Sequence, residues 1–220
     1  MNPINRYVQI VLVETSHPGN IGSVARAMKN MGLSNLSLIN PKTFPHQEAT
    51  ALAGNAVDVL DNAKVFDSIN EAIKDSKVIY ATSARDRTIE WPTLSVKEAA
   101  EEINQLVCED IEVSILFGRE DRGLTNEELQ LANKHLIIPA HPEYPVLNIA
   151  MSTQVICYEL FQAAQDIPVK KWQDFPEYTA EELNNLIDHF NETVSSLDLV
   201  DMDNPKPVSY THLRAHETLI

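Results

Sequence analysis

The sequence predicts an α/β protein built on a parallel sheet, and three observations carry the prediction. Short runs rich in Val, Ile and Leu alternate with helical patterns through the first 165 residues, the order expected of strands joined by crossover helices. The first run, "YVQIVLVE", is apolar nearly throughout rather than alternating, as in strands buried on both faces. No internal repeat or low-complexity segment breaks the pattern. With 220 residues, 44% of them hydrophobic, the chain suffices for one sizeable globular domain and an appendage.

Taken in order, strands are expected over 7–14, 36–40 ("LSLIN"), 77–83 ("KVIYATS"), 113–118 ("VSILFG") and 135–140 ("HLIIPA"). "KVF" at 64–66 fits either a sixth strand or a loop. The first helix starts near Asn20 and carries Ile21, Val24, Ala25 and Met28 on one face, with Arg26 opposite. A second covers Gln47 to Leu60, with Gly54 as a candidate break. "INEAIKD" and "SVKEAAEEINQLV" are helical, and "TNEELQLAN" opens with a capping box from Thr125 to Glu128. Residues 147–165 form a long helix, apolar on more than one face, suited to burial or a dimer contact. Pro168 and Pro176 mark 166–178 as a linker, and Thr179 with Glu182 caps a last helix to about Leu197. The expected organisation is a main domain over 1–165, that linker, a short helical extension over 179–207 and a tail over 208–220. The tail, "VSYTHLRAHETLI", has no amphipathic period and resembles translated adapter or cloning sequence, so the natural protein is expected to be cut short near Pro207.

The net charge of −15 by itself argues against a polyanionic partner. The charge is uneven, however: Asp166 to Asp203 holds 10 acidic residues against two lysines. A basic patch on the first part is compatible with that distribution. Cys108 and Cys157 sit in apolar segments without metal-ligand spacing and read as reduced core thiols. No run is long and apolar enough for a bilayer, and polar residues interrupt the N-terminus where a signal peptide needs an apolar stretch. A cytoplasmic protein without membrane contact is expected.

Four segments carry candidate chemistry. "HPGNIGSVARAMKNMG" (17–32) follows a strand and opens a helix, like a phosphate cradle, yet it lacks the Walker pattern and the glycine spacing of a dinucleotide fingerprint. No acidic residue stands at the end of the second strand, where Asn40 lies, which disfavours a nucleotide-dependent oxidoreductase. Arg26 reads either as a solvated surface residue or as a functional cation. "LFGREDRGLTNEEL" (116–129) crowds Arg119, Glu120, Asp121 and Arg122 between two glycines at a strand's C-terminal edge, where ligands of parallel α/β folds bind. An ion-pair loop is the plainer reading. "IIPAHPEYPVLNIAMS" (137–152) is a proline-stiffened loop entering the long helix at Asn148, a residue that also suits a cap. "ATSARDRT" (81–88) ends a strand with Thr82, Ser83 and Ala84, then places Arg85 and Arg87 where phosphates could be met.

In this order and spacing the segments resemble the SPOUT superfamily of RNA methyltransferases, and within it the TrmJ family of tRNA (cytidine/uridine-2'-O-)-methyltransferases. "VLVETSHPGNIGSVARAMKNMGL", "LFGREDRGLTNEEL" and "IPAHPEYPVLNIAMSTQVICYE" are similar to that family's three motifs. The resemblance covers residues 5–165 closely and the extension to about 205 weakly. It implies a sheet with a deep C-terminal trefoil knot, which the usual threading rule forbids and periodicity does not reveal. It implies S-adenosylmethionine bound by Thr82, Ser83, Ala84, Gly118, Ile138, Val146, Leu147 and Asn148, the last four largely through backbone groups.

The resemblance further implies that 19–26 serves the RNA. Gly19 and Gly22 would keep the turn small beside a ribose, and Asn20 would position the nucleotide. Arg26 would stand near the 2'-hydroxyl and stabilise its developing charge, since arginine is too weak an acid to act as a base. Glu120 and Arg119 would orient Arg26 or the RNA, with Arg119, Arg85 and Arg87 as RNA contacts. The implied partners are tRNA, at nucleotide 32 of the anticodon loop, and a second copy of the chain in a homodimer; no metal is implied. Ribosomal RNA, another tRNA position, or an inactive RNA-binding protein of the same fold remain alternatives. Two departures stand out. The third motif commonly reads Ser-Leu-Asn, and here it is Val146-Leu147-Asn148. The family's basic C-terminal helices are absent or replaced, which implies weakened RNA affinity.

Overall fold

The computed structural model describes residues 4–83, 92–165 and 180–197. A short α1 (Ile4–Tyr7) leads into β1 (Val8–Val13), followed by α2 (Pro18–Asn30), β2 (Leu36–Ile39), α3 (Gln47–Ala53), α4 (Val57–Asp61) and β3 (Lys64–Phe66). Then come α5 (Ile69–Ala72), β4 (Val78–Thr82), β5 (Thr93–Ser95), α6 (Val96–Cys108), β6 (Val113–Phe117), α7 (Asn126–Leu129), β7 (Lys134–Ile137) and α8 (Ile149–Ala163). All belong to one compact unit, Met1–Ile167; α9 (Ala180–Ser196) belongs to a second, Pro168–Ile220.

The seven strands form one sheet in the order β3-β2-β1-β6-β4-β7-β5, and every pairing is parallel. In register, Ile10 faces Leu36 on one side and Ile115 on the other. The run at β1 is continuous because both faces are covered. Val8, Ile10 and Leu12 join the cluster that includes Ile21, Val24 and Met28 of α2, whereas Val11 and Val13 join the opposite cluster with Leu116, Leu124 and Leu129. Polar side chains of the central strands find partners, as Gln9 donates to Ser37 Oγ at 2.5 Å and Ser76 meets Ser114 at 2.7 Å.

The structure settles "KVF" as the edge strand β3 and breaks the second helix at Gly54, whose φ of +56° turns the chain out of α3. It adds β5, a three-residue edge strand with no apolar run to announce it. Cys157 is buried as expected, but Cys108, at the solvent end of α6, is exposed and not a core thiol.

Gly19 and Gly22 lie inside α2, not in a turn. A Cβ on Gly22 would stand 2.1 Å from the Ala49 carbonyl oxygen, and one on Gly19 would stand 2.8 Å from Leu52 Cδ1. These glycines therefore let α3 press against α2. This corrects the expectation that they make room for a ribose, since the space beside them is filled by protein.

Candidate functional site

A cavity of about 270 Å³ opens at the C-terminal edge of the sheet. Thr82 and Ser83 at the end of β4, Gly118 after β6, Ile138 after β7 and Val146, Leu147 and Asn148 before α8 all line it. Every described residue expected at the cofactor thus meets in one place; Ala84 lies outside the described residues, as do Arg85 and Arg87. The cavity also takes in Phe117, Leu124, Leu136, Pro145 and Ser152, which no motif singles out. Their one sequence signal is position: Phe117 ends β6, Leu136 stands one residue before the end of β7, and the other three lie within the second and third motif segments. The Thr82 hydroxyl donates to the Leu116 carbonyl at 2.9 Å, and Ser83 N–H donates to that of Leu136 at 3.1 Å. The strand ends are therefore held before any ligand arrives.

Gly118 has a local reason to be glycine. A Cβ there would come within 2.2 Å of the Gly123 carbonyl carbon and the Leu124 nitrogen. The loop folds back on itself through Gly123 N–H to the Arg119 carbonyl, 2.9 Å, with the reciprocal bond at 3.3 Å. Gly123, at φ +72°, makes the return turn.

Arg119 points inward. Its guanidinium is bidentate to Glu128 at 2.8 and 2.9 Å, bonds Glu14 through Nε at 2.8 Å, and leaves 9% of the side chain exposed. The hydrogen bonds it donates to Glu14 and then Glu128 raise its pKa further, and the same contact with Arg119 lowers that of Glu14. Glu128 also closes the capping box of α7 with Thr125. Glu14 is held just past β1 in the left-handed region, φ 48°.

Glu120 is the hub of the site. Its carboxylate accepts from Ser16 N–H at 3.1 Å, Ser16 Oγ at 3.0 Å, His17 N–H at 3.3 Å and Asn20 Nδ2 at 3.0 Å. Burial pushes the carboxyl pKa up, but these donors outweigh it and hold it at about 2. His17, the N-cap of α2, offers no side-chain cap, so Glu120 supplies the negative group at that helix start from another loop. Asn20 links onward, as its Oδ1 accepts from Asn148 Nδ2 at 3.2 Å. Asn148 in turn caps α8 by accepting from Ala150 N–H at 2.8 Å. One polar chain joins the first, second and third motifs. Arg26 stands exposed on α2, is not among the described residues that line the cavity, and has no ion-pair partner among them.

Residues 7–158 match the model of the SpoU rRNA Methylase family. A protein of Pseudomonas aeruginosa named tRNA (cytidine/uridine/adenosine-2'-O-)-methyltransferase TrmJ is 44% identical over 209 residues, covering 90% of this chain and 81% of that protein. The chain belongs to the TrmJ family of SPOUT methyltransferases. The solved TrmJ from Zymomonas mobilis ZM4 is 32% identical to this TrmJ-family chain, with a TM-score of 0.67 over 96% of this chain and 88% of that one. The SpoU methyltransferase AviRb from Streptomyces viridochromogenes, solved in complex with the cofactor AdoMet, is 19% identical, with a TM-score of 0.58 over 71% of this chain and 60% of that one; it shares the fold.

Proposed function

We propose that this protein methylates the ribose 2'-hydroxyl of tRNA, at cytidine or uridine 32 of the anticodon loop, with S-adenosylmethionine as donor. The observation that carries the reading is the cavity that the second and third family motifs line together with the end of β4, the first motif being tied to its rim through Asn20, which bonds Glu120 and Asn148. Its walls fit such a donor. Phe117, Leu124, Leu136 and Ile138 offer apolar surface to a purine, and the irregular backbone of 145–148 offers polar groups to the remainder. When bound, the cofactor supplies an electrophilic methyl group.

The chain's own residues do the rest. Gly118 and Gly123 shape the loop over the cavity, and Thr82 and Ser83 hold one wall. Val146, where the family commonly has serine, lines the cavity without a hydroxyl, so the backbone beside it carries that contact. Asn20 and Glu120 set the start of α2; the Glu120 carboxylate is saturated with donors and takes no proton in the step. Arg26 donates to the 2'-oxygen as negative charge develops there, and the hydroxyl proton leaves to an RNA phosphate or to water. Because Arg26 is outside its own chain's cavity, we assign it to the cavity of the second protomer in a homodimer, and α8 to the contact between them. Arg119 braces the loop instead of meeting RNA. Arg85 and Arg87 contact tRNA phosphates. A C-terminal trefoil knot and a cytoplasmic location complete the reading.

The test is transfer of a labelled methyl group from S-adenosylmethionine to tRNA, with mass spectrometric mapping of the product. Label in the ribose of nucleotide 32 supports the assignment. Label confined to ribosomal RNA, or elsewhere in tRNA, replaces the substrate; no transfer with intact cofactor binding leaves a binding protein.

A further inference from the structure

The loop after β6 carries two arginines, and only one of them is spent. Arg119 is consumed by Glu14 and Glu128. Arg122, three residues on, is 66% exposed, lines the cavity mouth and makes no hydrogen bond from its guanidinium among the described residues. Its neighbours are Glu14 at 3.9 Å and Asp121 at 4.0 Å, both beyond hydrogen-bonding reach. Lys42 lies in the loop after β2, beside the residue that follows Glu14. That loop is tied down by Lys42 N–H donating to the Thr15 carbonyl at 3.1 Å, while the Lys42 side chain is exposed. Its charge, like that of Arg122, helps lower the pKa of Glu14.

Two exposed cations from different loops therefore bear on one carboxylate, Arg122 from the cavity mouth and Lys42 from beside Thr15, in a chain of net charge −15. Glu14 is already committed to Arg119, so it holds the pair loosely rather than neutralising it. Such a pair fits an anion with several acceptor oxygens. A 2'-hydroxyl brought to the cavity carries a phosphodiester on the neighbouring carbon of the same sugar. We propose that Arg122 and Lys42 bind a backbone phosphate of the substrate RNA next to the ribose being methylated. This rests on the methyltransferase reading above and adds to it two residues that position the substrate.

The test compares the full-length wild type with Arg122→Ala, Lys42→Ala and the double variant. tRNA affinity is measured by filter binding over a salt series, and S-adenosylmethionine affinity by calorimetry. Both side chains are exposed, so melting temperatures should match and serve as the folding control. Each single variant is expected to weaken tRNA binding roughly tenfold. Each is also expected to flatten the slope of log affinity against log salt by about 0.7–0.9, with cofactor affinity unchanged. Arg122→Lys should restore most of the slope but less of the affinity, because it loses the planar fork. Unchanged tRNA affinity and slope in variants of an enzyme that methylates tRNA overturn this inference alone. Loss of cofactor affinity with tRNA binding intact also overturns it, and assigns Arg122 to the cofactor's carboxylate. A wild type with no tRNA affinity overturns this inference and the substrate reading together.

Discussion

Replacing Glu120 by glutamine keeps the shape of the hub and removes its charge. The carboxylate now receives Ser16 N–H, Ser16 Oγ, His17 N–H and Asn20 Nδ2. A glutamine amide keeps one acceptor oxygen and turns a second group of N–H donors toward donors that are already there. Exchanging charge-assisted bonds for neutral ones costs about 1–2 kcal/mol, and the lost negative group at the start of α2 adds a few tenths or more. The pKa gives an independent bound. A carboxyl held at about 2 instead of its ordinary 4.5 sets a ceiling near 3 kcal/mol, which solvent screening of a half-exposed group reduces to about 1–2 kcal/mol. The folded-state pKa is the depressed one, so this stability is fully present above pH 4.5 and is lost as pH falls toward 2. Glu120→Gln should therefore unfold at a midpoint roughly 2–8 °C below wild type at pH 7. The gap should narrow as pH drops below 4.5, because the unfolded wild type then takes up a proton at Glu120 that the folded protein, with its carboxyl at about 2, does not. Thermal melts by circular dichroism from pH 7 to 3.5 measure both. A gap that stays constant with pH would falsify the claim that charge, rather than shape, is what Glu120 contributes.

Arg26→Ala should cut methyl transfer by 100-fold or more while leaving S-adenosylmethionine affinity unchanged in calorimetry, because the role proposed for Arg26 is toward the 2'-oxygen and not toward the cofactor; parallel loss of both contradicts that role. Gly118→Ala should lower melting temperature and cofactor affinity together, since the added methyl meets loop backbone at 2.2 Å; a stable variant with poor affinity would instead put the clash on the cofactor itself. Gly22→Ala gains about 1 kcal/mol of helix propensity but overlaps the Ala49 carbonyl at 2.1 Å, so chemical denaturation should find net destabilisation of about 1–2 kcal/mol, and a stabilised variant refutes the close packing. Arg119→Ala leaves Glu14 and Glu128 facing each other without their cation and should cost about 3 kcal/mol in a urea titration; a loss below 0.5 kcal/mol would mean the arginine is not structural.

The buried strands announce themselves, because a parallel strand covered on both faces must be apolar at nearly every position, as at β1 and β6. The edges do not: β5 is three residues of mixed polarity, and the exposed Lys64 and Val65 make β3 resemble a loop. The cavity was legible as motifs, for strand ends and glycine loops are local features. The roles within it were less so. Arg119 and Glu14 are 105 residues apart, and nothing in either segment says that they pair. Likewise a Gly-x-x-Gly spacing serves a tight turn or one face of a helix equally well, and only the position of Ala49 decides between them.

The clamp at the start of α2 also sets an angular tolerance. From Pro18 to Arg26 the helix runs about 12 Å, so a tilt of roughly 5° about its pinned end swings the guanidinium by about 1 Å, a displacement worth on the order of 100-fold in rate under the role proposed for Arg26. The glycine face against α3 and the Glu120 cap act on this lever from its side and its root. Substitutions at Ala49 or Ser16, neither of which lines the cavity, thereby become a means of detuning turnover by degrees of arc.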